Sequence, residues 1–205
     1  MSLHAFQKYA ATRRLFLALA APRARETVGH FAAYLQPGER LLDIGAGIGD
    51  ITSILSERGY TVTALDIDNF SYVPHVTPVI YDGTSMPFGD QHFDTALILT
   101  VLHHTADPEA IVREAKRIAH RIIIIEDIYT SAWHKRATFF IDSLLNFEFR
   151  GHPHSNKTDA AWRALFHQEK LKVTADKAWG SFGLLRHRMY ILEPAASAKP
   201  TTRND

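Results

Sequence analysis

Cysteine is absent from the 205-residue chain, so the chain can form neither disulfide bonds nor thiolate metal sites. No apolar run approaches the roughly 20 residues that a membrane-spanning helix needs. Excess charge is also absent, because 23 basic and 22 acidic residues leave a net charge of +1. That balance indicates neither nucleic acid nor an acidic membrane surface as a partner. We therefore expect a cytoplasmic protein that binds neither nucleic acid nor membranes.

The composition that remains is typical of a globular protein, with 46% hydrophobic and 22% charged residues. A chain of this length suits one α/β domain with a substantial core. We predict a single domain over residues 1–193. The tail, residues 194–205, consists of Ala, Ser, Pro, Thr and charged residues, and we expect it to be disordered.

The segment RLLDIGAGIGD at residues 40–50 is the most informative part of the chain. An apolar run reaches Asp43, and glycines then alternate at Gly45, Gly47 and Gly49, between a predicted strand and a predicted helix. Glycine allows a tight turn and lets a ligand lie against the backbone without a Cβ in the way. The acid two residues before the first glycine can hold a cationic amine. The pattern favours a ligand with an amino-acid part and a nucleoside part.

Two other interpretations of the glycines are open. The dinucleotide fingerprint G-x-G-x-x-G would need its third glycine at Asp50, whose carboxylate would repel a diphosphate at the start of a helix. The glycines also fit a simple tight turn between strand and helix, since short glycine motifs are weak signals.

Acids at the ends of later predicted strands add to the nucleoside interpretation. The strand at residues 61–66 ends in Asp66, which can accept hydrogen bonds from both ribose hydroxyls of a nucleoside cofactor. Residues 79–88 then carry an acid, Asp82, before a small-x-x-Pro-Phe loop, and Phe-Asp opens the next strand at residue 93.

These motifs lie in register over roughly residues 40–127, and together they resemble the class I S-adenosylmethionine (SAM)-dependent methyltransferases. The resemblance implies an α/β fold: a Rossmann-like, seven-stranded, mostly parallel sheet with an antiparallel last strand and helices on both faces. It also implies SAM as the cofactor and a small or medium-sized metabolite as methyl acceptor. Acceptor atom and oligomeric state cannot be read from the sequence, because such folds serve many acceptors. A non-catalytic SAM- or nucleoside-binding partner protein and a nucleotide-dependent oxidoreductase are the alternatives.

The resemblance also assigns cofactor contacts. Asp43 and the glycine loop would hold the methionine part, Asp66 the ribose, and Asp82 with the residues after it the adenine, while Tyr9 would close over the methionine end. The full set of predicted cofactor residues is Tyr9, Asp43, Gly45, Ala46, Gly47, Asp66, Ile67, Asp82, Gly83, Thr84 and Thr100.

Three residues are candidates for catalysis. His103 and His104 follow the fourth strand, and imidazole titrates near neutral pH, as a general base should; packed or cofactor-contacting histidines are the alternative. Asp127 follows the fifth strand. Because adjacent strand residues point to opposite faces, we expect only one of Glu126 and Asp127 to face the substrate.

An aromatic-rich insertion at residues 133–155 follows the fifth strand, and we expect it to cover the substrate pocket. A core helix with packed aromatics is the alternative. The histidines in it invite a metal site, but carboxylate ligands at the family's metal positions are not evident, so no metal is predicted. Before the first strand, the pattern predicts two helices, at residues 3–20 and 23–35.

Overall fold

The computed structural model describes residues 7–129, 157–181 and 185–195. The insertion predicted at residues 133–155 lies outside these described residues, and so does the tail beyond residue 195. The element bounds, contacts and distances given below all refer to the described part.

A single mixed sheet forms the centre of the described structure. Its strands are β1 Arg40–Ile44, β2 Thr61–Asp66, β3 Val79–Ile80, β4 Phe93–Leu99, β5 Ala119–Asp127, β6 Leu171–Ser181 and β7 Leu185–Pro194. Their order is β3-β2-β1-β4-β5-β7-β6, and β7 pairs antiparallel with both of its neighbours. Strands β1 to β5 pair in parallel. The predicted seven-stranded sheet with an antiparallel last strand is confirmed.

Helices cover both faces of the sheet, as predicted. They are α1 Ala10–Phe31, α2 Asp50–Glu57, α3 Pro108–Ile118 and α4 Asp159–Gln168. Phe31 of α1 and Leu55 of α2 pack in one buried cluster with Ile123 of β5. Trp162 of α4 packs with Ile124 in the other cluster. Successive isoleucines of β5 thus enter opposite cores, which explains the nearly continuous apolar run of a strand buried on both faces.

The predicted break between two N-terminal helices is wrong, because α1 runs unbroken through Pro22. A proline inside a helix removes one backbone donor and leaves the carbonyl four residues earlier without its partner. Here Pro22 is exposed, so water can satisfy that carbonyl. Packing holds both halves in place: Leu17 contacts the cluster around Ala46, and Phe31 is fully buried against the sheet. Tertiary packing outweighs the local preference.

Candidate active site

The two edges of the sheet differ in character. At the amino ends of the strands, Arg121 of β5 binds Glu39 at 2.6 Å and Thr95 at 2.8 Å, which ties neighbouring segments together. At the carboxyl ends, Asp43, Asp66 and Asp127 are all buried. Ligands of open α/β sheets bind beyond the carboxyl ends of the strands, so the predicted site residues lie at the edge that such ligands use.

The glycine loop turns tightly against the start of the segment after β4. The amides of Gly45 and Ala46 both donate to the Leu65 carbonyl, at 2.8 and 3.2 Å. Gly45 has a φ of 72°, and a Cβ there would lie 2.5 Å from Val101 Cγ2. Both its backbone conformation and its surroundings therefore require glycine.

Gly47 also has a left-handed φ, of 52°, but its surroundings differ from those of Gly45. A Cβ on it would meet no atom of the described residues closer than the Gly45 carbonyl oxygen at 3.9 Å. Its amide donates to Asp66 Oδ2 at 2.8 Å. The loop is thus anchored through its backbone, while the side on which a Cβ would stand is open to a ligand.

Asp66 links the glycine loop to the end of β2. Its Oδ1 accepts from the Ile67 amide at 2.7 Å, and its Oδ2 accepts from Gly47. Burial raises the pKa of Asp66, and backbone hydrogen bonds from Gly47, Ile67 and Asp68 oppose that rise. A carboxylate has about four acceptor positions, so this arrangement leaves one for a ribose hydroxyl.

Asp43 is 2% exposed, and its Oδ2 accepts from the Thr52 hydroxyl at 2.7 Å. Burial, with a smaller effect of the charges of Asp50 and Asp66, raises its pKa to about 7 against the opposing effect of the Thr52 hydrogen bond. Burial also raises the pKa of Asp50. Three carboxyl groups thus surround the glycine loop at a cost in solvation and mutual repulsion. A cation placed among them would stabilise all three.

The segment after β3 forms a local turn around Asp82. Its Oδ1 accepts from the Thr84 amide, the Thr84 hydroxyl and the Ser85 amide, each at 2.8 Å. Hydrogen bonds from Ser85 and Thr84 hold the pKa of this exposed carboxyl below its usual value. A Cβ on Gly83 would stand 3.6 Å from the side chain of Ile67, which is 58% exposed. An exposed apolar surface beside an ionised carboxylate suits a planar base with an amino group.

Thr100 ends β4 in a strained conformation. Its φ is 58°, a left-handed value that is costly for a β-branched residue. The Thr100 amide donates to the Ile125 carbonyl at 2.7 Å, which helps to hold the turn. Such strain often marks functional sites, and here it aims the following residues toward the glycine loop.

Glu126 fixes the segment that follows this turn. Its Oε1 accepts from the amides of Val101 and Leu102 at 2.9 and 2.7 Å, and its Oε2 lies 2.7 Å from His103 Nδ1. Both side chains of the Glu126–His103 pair are almost completely buried. The His104 ring packs on that of His103, with centroids 4.0 Å apart.

Asp127, the next residue of β5, contacts the ring Nδ1 of His187 of β7 through its Oδ1. Burial alone would raise the pKa of Asp127, but the hydrogen bond and charge of His187, with the charges of His103 and Arg23, hold it below its ordinary value. Trp179 of β6 lies against the His187 ring with centroids 5.5 Å apart. The two adjacent acids of β5 thus have different histidine partners.

The N-terminal segment lies close to the glycine loop, although the Tyr9 ring is 67% exposed at the start of α1. The Gln7 side chain donates to the Asn69 carbonyl at 2.9 Å, and Leu17 packs against Ala46. Farther along α1, the charge of Arg23 acts on both Asp50 and Asp127. The first helix therefore borders the site from the glycine loop to the end of β5.

Sequence reasoning missed the partners that define several site residues. The contact between Thr52 and Asp43 depends on how α2 packs against the sheet. No sequence pattern indicates this contact. His187 has a weak signal: it lies near the start of a predicted strand that pairs antiparallel in the sheet. The register that puts it opposite Asp127 could be found only by pairing that strand with β5.

Within the described residues, no group of three or more His, Asp or Glu side chains is placed to hold a metal ion. The histidines of the predicted insertion lie outside that part. None of the described helices is long and apolar enough to cross a membrane.

Comparison with known proteins shows that this chain is similar to methyltransferases. Residues 42–121 match the model of the methyltransferase domain family. The ubiquinone/menaquinone biosynthesis C-methyltransferase of Vibrio cholerae is 29% identical over 110 residues, which are 44% of this chain and 42% of that protein. The chain therefore spans less than half the length of the curated relatives it matches.

Solved structures share the fold over more of the chain. A SAM-dependent methyltransferase from Methanosarcina mazei superposes with a TM-score of 0.65 at 17% identity, covering 82% of this chain and 98% of the other. Magnesium protoporphyrin IX methyltransferase from Synechocystis, solved with bound S-adenosylhomocysteine, superposes with a TM-score of 0.61 at 16% identity. That match covers 85% of this chain and 83% of the other.

Proposed function

We propose, on the premise that this chain carries a class I SAM-dependent methyltransferase domain, that it transfers the methyl group of SAM to a small or medium-sized metabolite. The observation that carries the proposal is the group of three carboxyls near the glycine loop, the buried Asp43 and Asp66 and the half-buried Asp50. SAM brings an ammonium and a sulfonium, and both positive charges favour such surroundings. NAD would bring a diphosphate to the same place, next to Asp43, Asp50 and Asp66.

The remaining parts of the cofactor have partners along the same edge. We assign the ribose hydroxyls to Asp66, whose carboxylate lies beside the glycine loop at the end of β2. The adenine would lie on Ile67 and Gly83, with its amino group toward Asp82. Ala46 and Thr84 border these positions, Thr100 borders the methionine end, and Tyr9 would need to fold inward to cover it.

Methyl transfer needs the acceptor atom in line with the methyl–sulfur bond, and an acidic acceptor also needs a base for its proton. Candidate groups for that proton lie at the ends of β4 and β5, namely His103, His104 and Asp127. We place the acceptor on the side of the insertion at residues 133–155, since the cofactor motifs are complete before it. We treat residues 1–193 as one domain.

The identity of the acceptor does not follow from the relatives. The V. cholerae protein is a quinone-pathway C-methyltransferase by name, but its match to this chain covers only the part that contains the cofactor motifs. A quinol ring is therefore one acceptor to test among several. Polar metabolites with hydroxyl, amine or carboxylate groups are the others.

Two measurements test the proposal. Calorimetry should show binding of SAM and S-adenosylhomocysteine but not of NAD; binding of NAD alone would indicate an oxidoreductase. Transfer from methyl-labelled SAM should then be followed with a naphthohydroquinone, a catechol, a primary amine and a fatty acid, and with a metabolite extract. Cofactor binding without transfer to any of these would favour a non-catalytic binding protein.

A further inference from the structure

The last two acids of β5 form two carboxylate–histidine pairs, and the pairs differ in what surrounds them. Glu126 pairs with His103, and Asp127 pairs with His187. Adjacent residues of a strand face opposite sides of a sheet, so each pair stands on its own face. Such a pair is the arrangement that fixes the tautomer of a general base.

The contacts of the Glu126–His103 pair explain it as a pair that supports the structure of the turn after β4. Glu126 holds the amides of Val101 and Leu102 as well as the ring of His103. It therefore supports the turn that starts at the strained Thr100. The side chains of Glu126 and His103 are 0% and 1% exposed, which leaves an acceptor almost no access.

The Asp127–His187 pair is different. In the described part of the chain it does not hold the backbone amides of a neighbouring loop, as Glu126 does. Among the described residues, the His187 ring has one polar contact, Asp127. The side chain of His187 is 8% exposed, against 1% for that of His103. Antiparallel pairing sets it directly opposite Asp127 at the carboxyl end of β5.

Electrostatics connect this pair to the cofactor site. Arg23 of α1 acts on Asp127 and on Asp50, the acid that follows the glycine loop. The pair and the glycine loop are thus both within reach of one guanidinium charge. Strand β5 also ends at Asp127, at the same edge of the sheet where β1 passes into the glycine loop.

We propose that His187, oriented by Asp127, is the base that takes the proton from the methyl acceptor. This inference rests on the proposed function. Asp127 keeps the proton of the ring on Nδ1, so Nε2 presents its lone pair. In the step, the acceptor atom forms a bond to the methyl carbon, the carbon–sulfur bond breaks, and its electron pair neutralises the sulfonium. The acceptor's proton moves to His187 Nε2 and later leaves to solvent.

Two cations act on the neighbours of His187. Lys177 of β6 acts on His30, and Arg23 of α1 acts on Asp127. On α1, His30 stacks on Trp179 with centroids 3.8 Å apart, and Glu26 lies 4.0 Å from the His30 ring. His30 belongs to the same stack, but the rings of Trp179 and His187 lie between it and Asp127, which makes it the matched control.

The first test needs no acceptor. Protein with isotope-labelled histidine rings is titrated by NMR in two complexes, with S-adenosylhomocysteine and with sinefungin, whose amine replaces the transferred methyl. If His187 borders the methyl position, that added positive charge lowers its pKa by roughly one unit, while His30 shifts far less. Equal His187 pKa values in both complexes, or a ring protonated on Nε2 instead of Nδ1, would overturn the proposal.

The second test uses His187→Gln, Asp127→Asn and the control His30→Gln, with whichever acceptor of the panel takes up labelled methyl. His187→Gln should lower kcat by about 10²–10⁴-fold and abolish the acidic limb of the pH profile, while affinity for S-adenosylhomocysteine stays within about twofold of the wild-type value. His30→Gln should retain activity.

The two proposals fail in different ways. Absence of SAM binding in the wild type would defeat the proposed function itself. Intact cofactor binding and methyl transfer, with kcat unchanged in a folded His187→Gln variant, would defeat only the role of His187.

Discussion

Asp43 provides the most specific prediction, because its charge state should depend on whether the cofactor is bound. Burial raises the pKa of its carboxyl from 3.8 to about 7. A bound ammonium beside it would favour the ionised form and lower that pKa again. Cofactor binding at mildly acidic pH should therefore release a proton from the protein.

The size of the effect follows from the shift. A difference of about three pKa units corresponds to roughly 4 kcal/mol between the two protonation states. Because the pKa is raised in the folded protein, its stabilising contribution is full below pH 3.8 and is lost as pH rises toward about 7. As pH rises over this range, the cofactor-free protein should thus lose stability. Over the same range the affinity for the cofactor should increase.

Calorimetry in two buffers of different ionisation enthalpy measures the number of protons released on binding. The measurement is repeated at several pH values between about pH 5 and pH 7.5. We expect up to one proton per SAM bound near the lower end and few near the upper end. Asp43→Asn should remove this component, weaken SAM binding, and leave the free protein at least as stable as wild type at neutral pH. An affinity that is flat with pH, with no proton release, would refute the reasoning.

The other predictions concern single contacts. Asp66→Ala should weaken SAM binding by about 1–3 kcal/mol and, because Asp66 also holds the Gly47 amide, should lower the melting temperature; unchanged affinity by titration would exclude the ribose role. Gly45→Ala should cost more than the roughly 1 kcal/mol of an unfavourable φ, because its Cβ would overlap Val101, and denaturant unfolding measures this. Glu126→Gln should destabilise the fold by roughly 3 kcal/mol or more by breaking a buried pair, and thermal unfolding should show it. Phe147→Ala, within the predicted insertion, should alter acceptor turnover while SAM affinity stays nearly constant, provided that the variant folds.

Much of the fold follows from local patterns. The isoleucine run of β5 predicts a strand buried on both faces, and acids at strand ends predict a common edge; both are observed. The seven-stranded, mostly parallel sheet with its antiparallel β7 came from the resemblance to methyltransferases and is confirmed, and residues 42–121 match the methyltransferase domain model. The break at Pro22 was wrong because packing of both halves of α1 outweighs one lost hydrogen bond.

The site could be predicted only in part. Motif spacing places Asp43 and Asp66 at the carboxyl ends of their strands, where the structure has them, but the neighbours that set their charge states come from packing. Thr52 reaches Asp43 because α2 lies over β1, and His187 reaches Asp127 because of a strand register. Neither contact is local in the sequence, so no pattern along the chain shows it.

The most direct test of the central claim is a crystal structure of the protein with S-adenosylhomocysteine. The account predicts the ribose hydroxyls within hydrogen-bonding distance of Asp66, the adenine against Ile67 with its amino group toward Asp82, and the homocysteine amine on the Asp43 side of the glycine loop. A ligand bound away from the carboxyl ends of β1 and β2, or a ribose that does not contact Asp66, would contradict it.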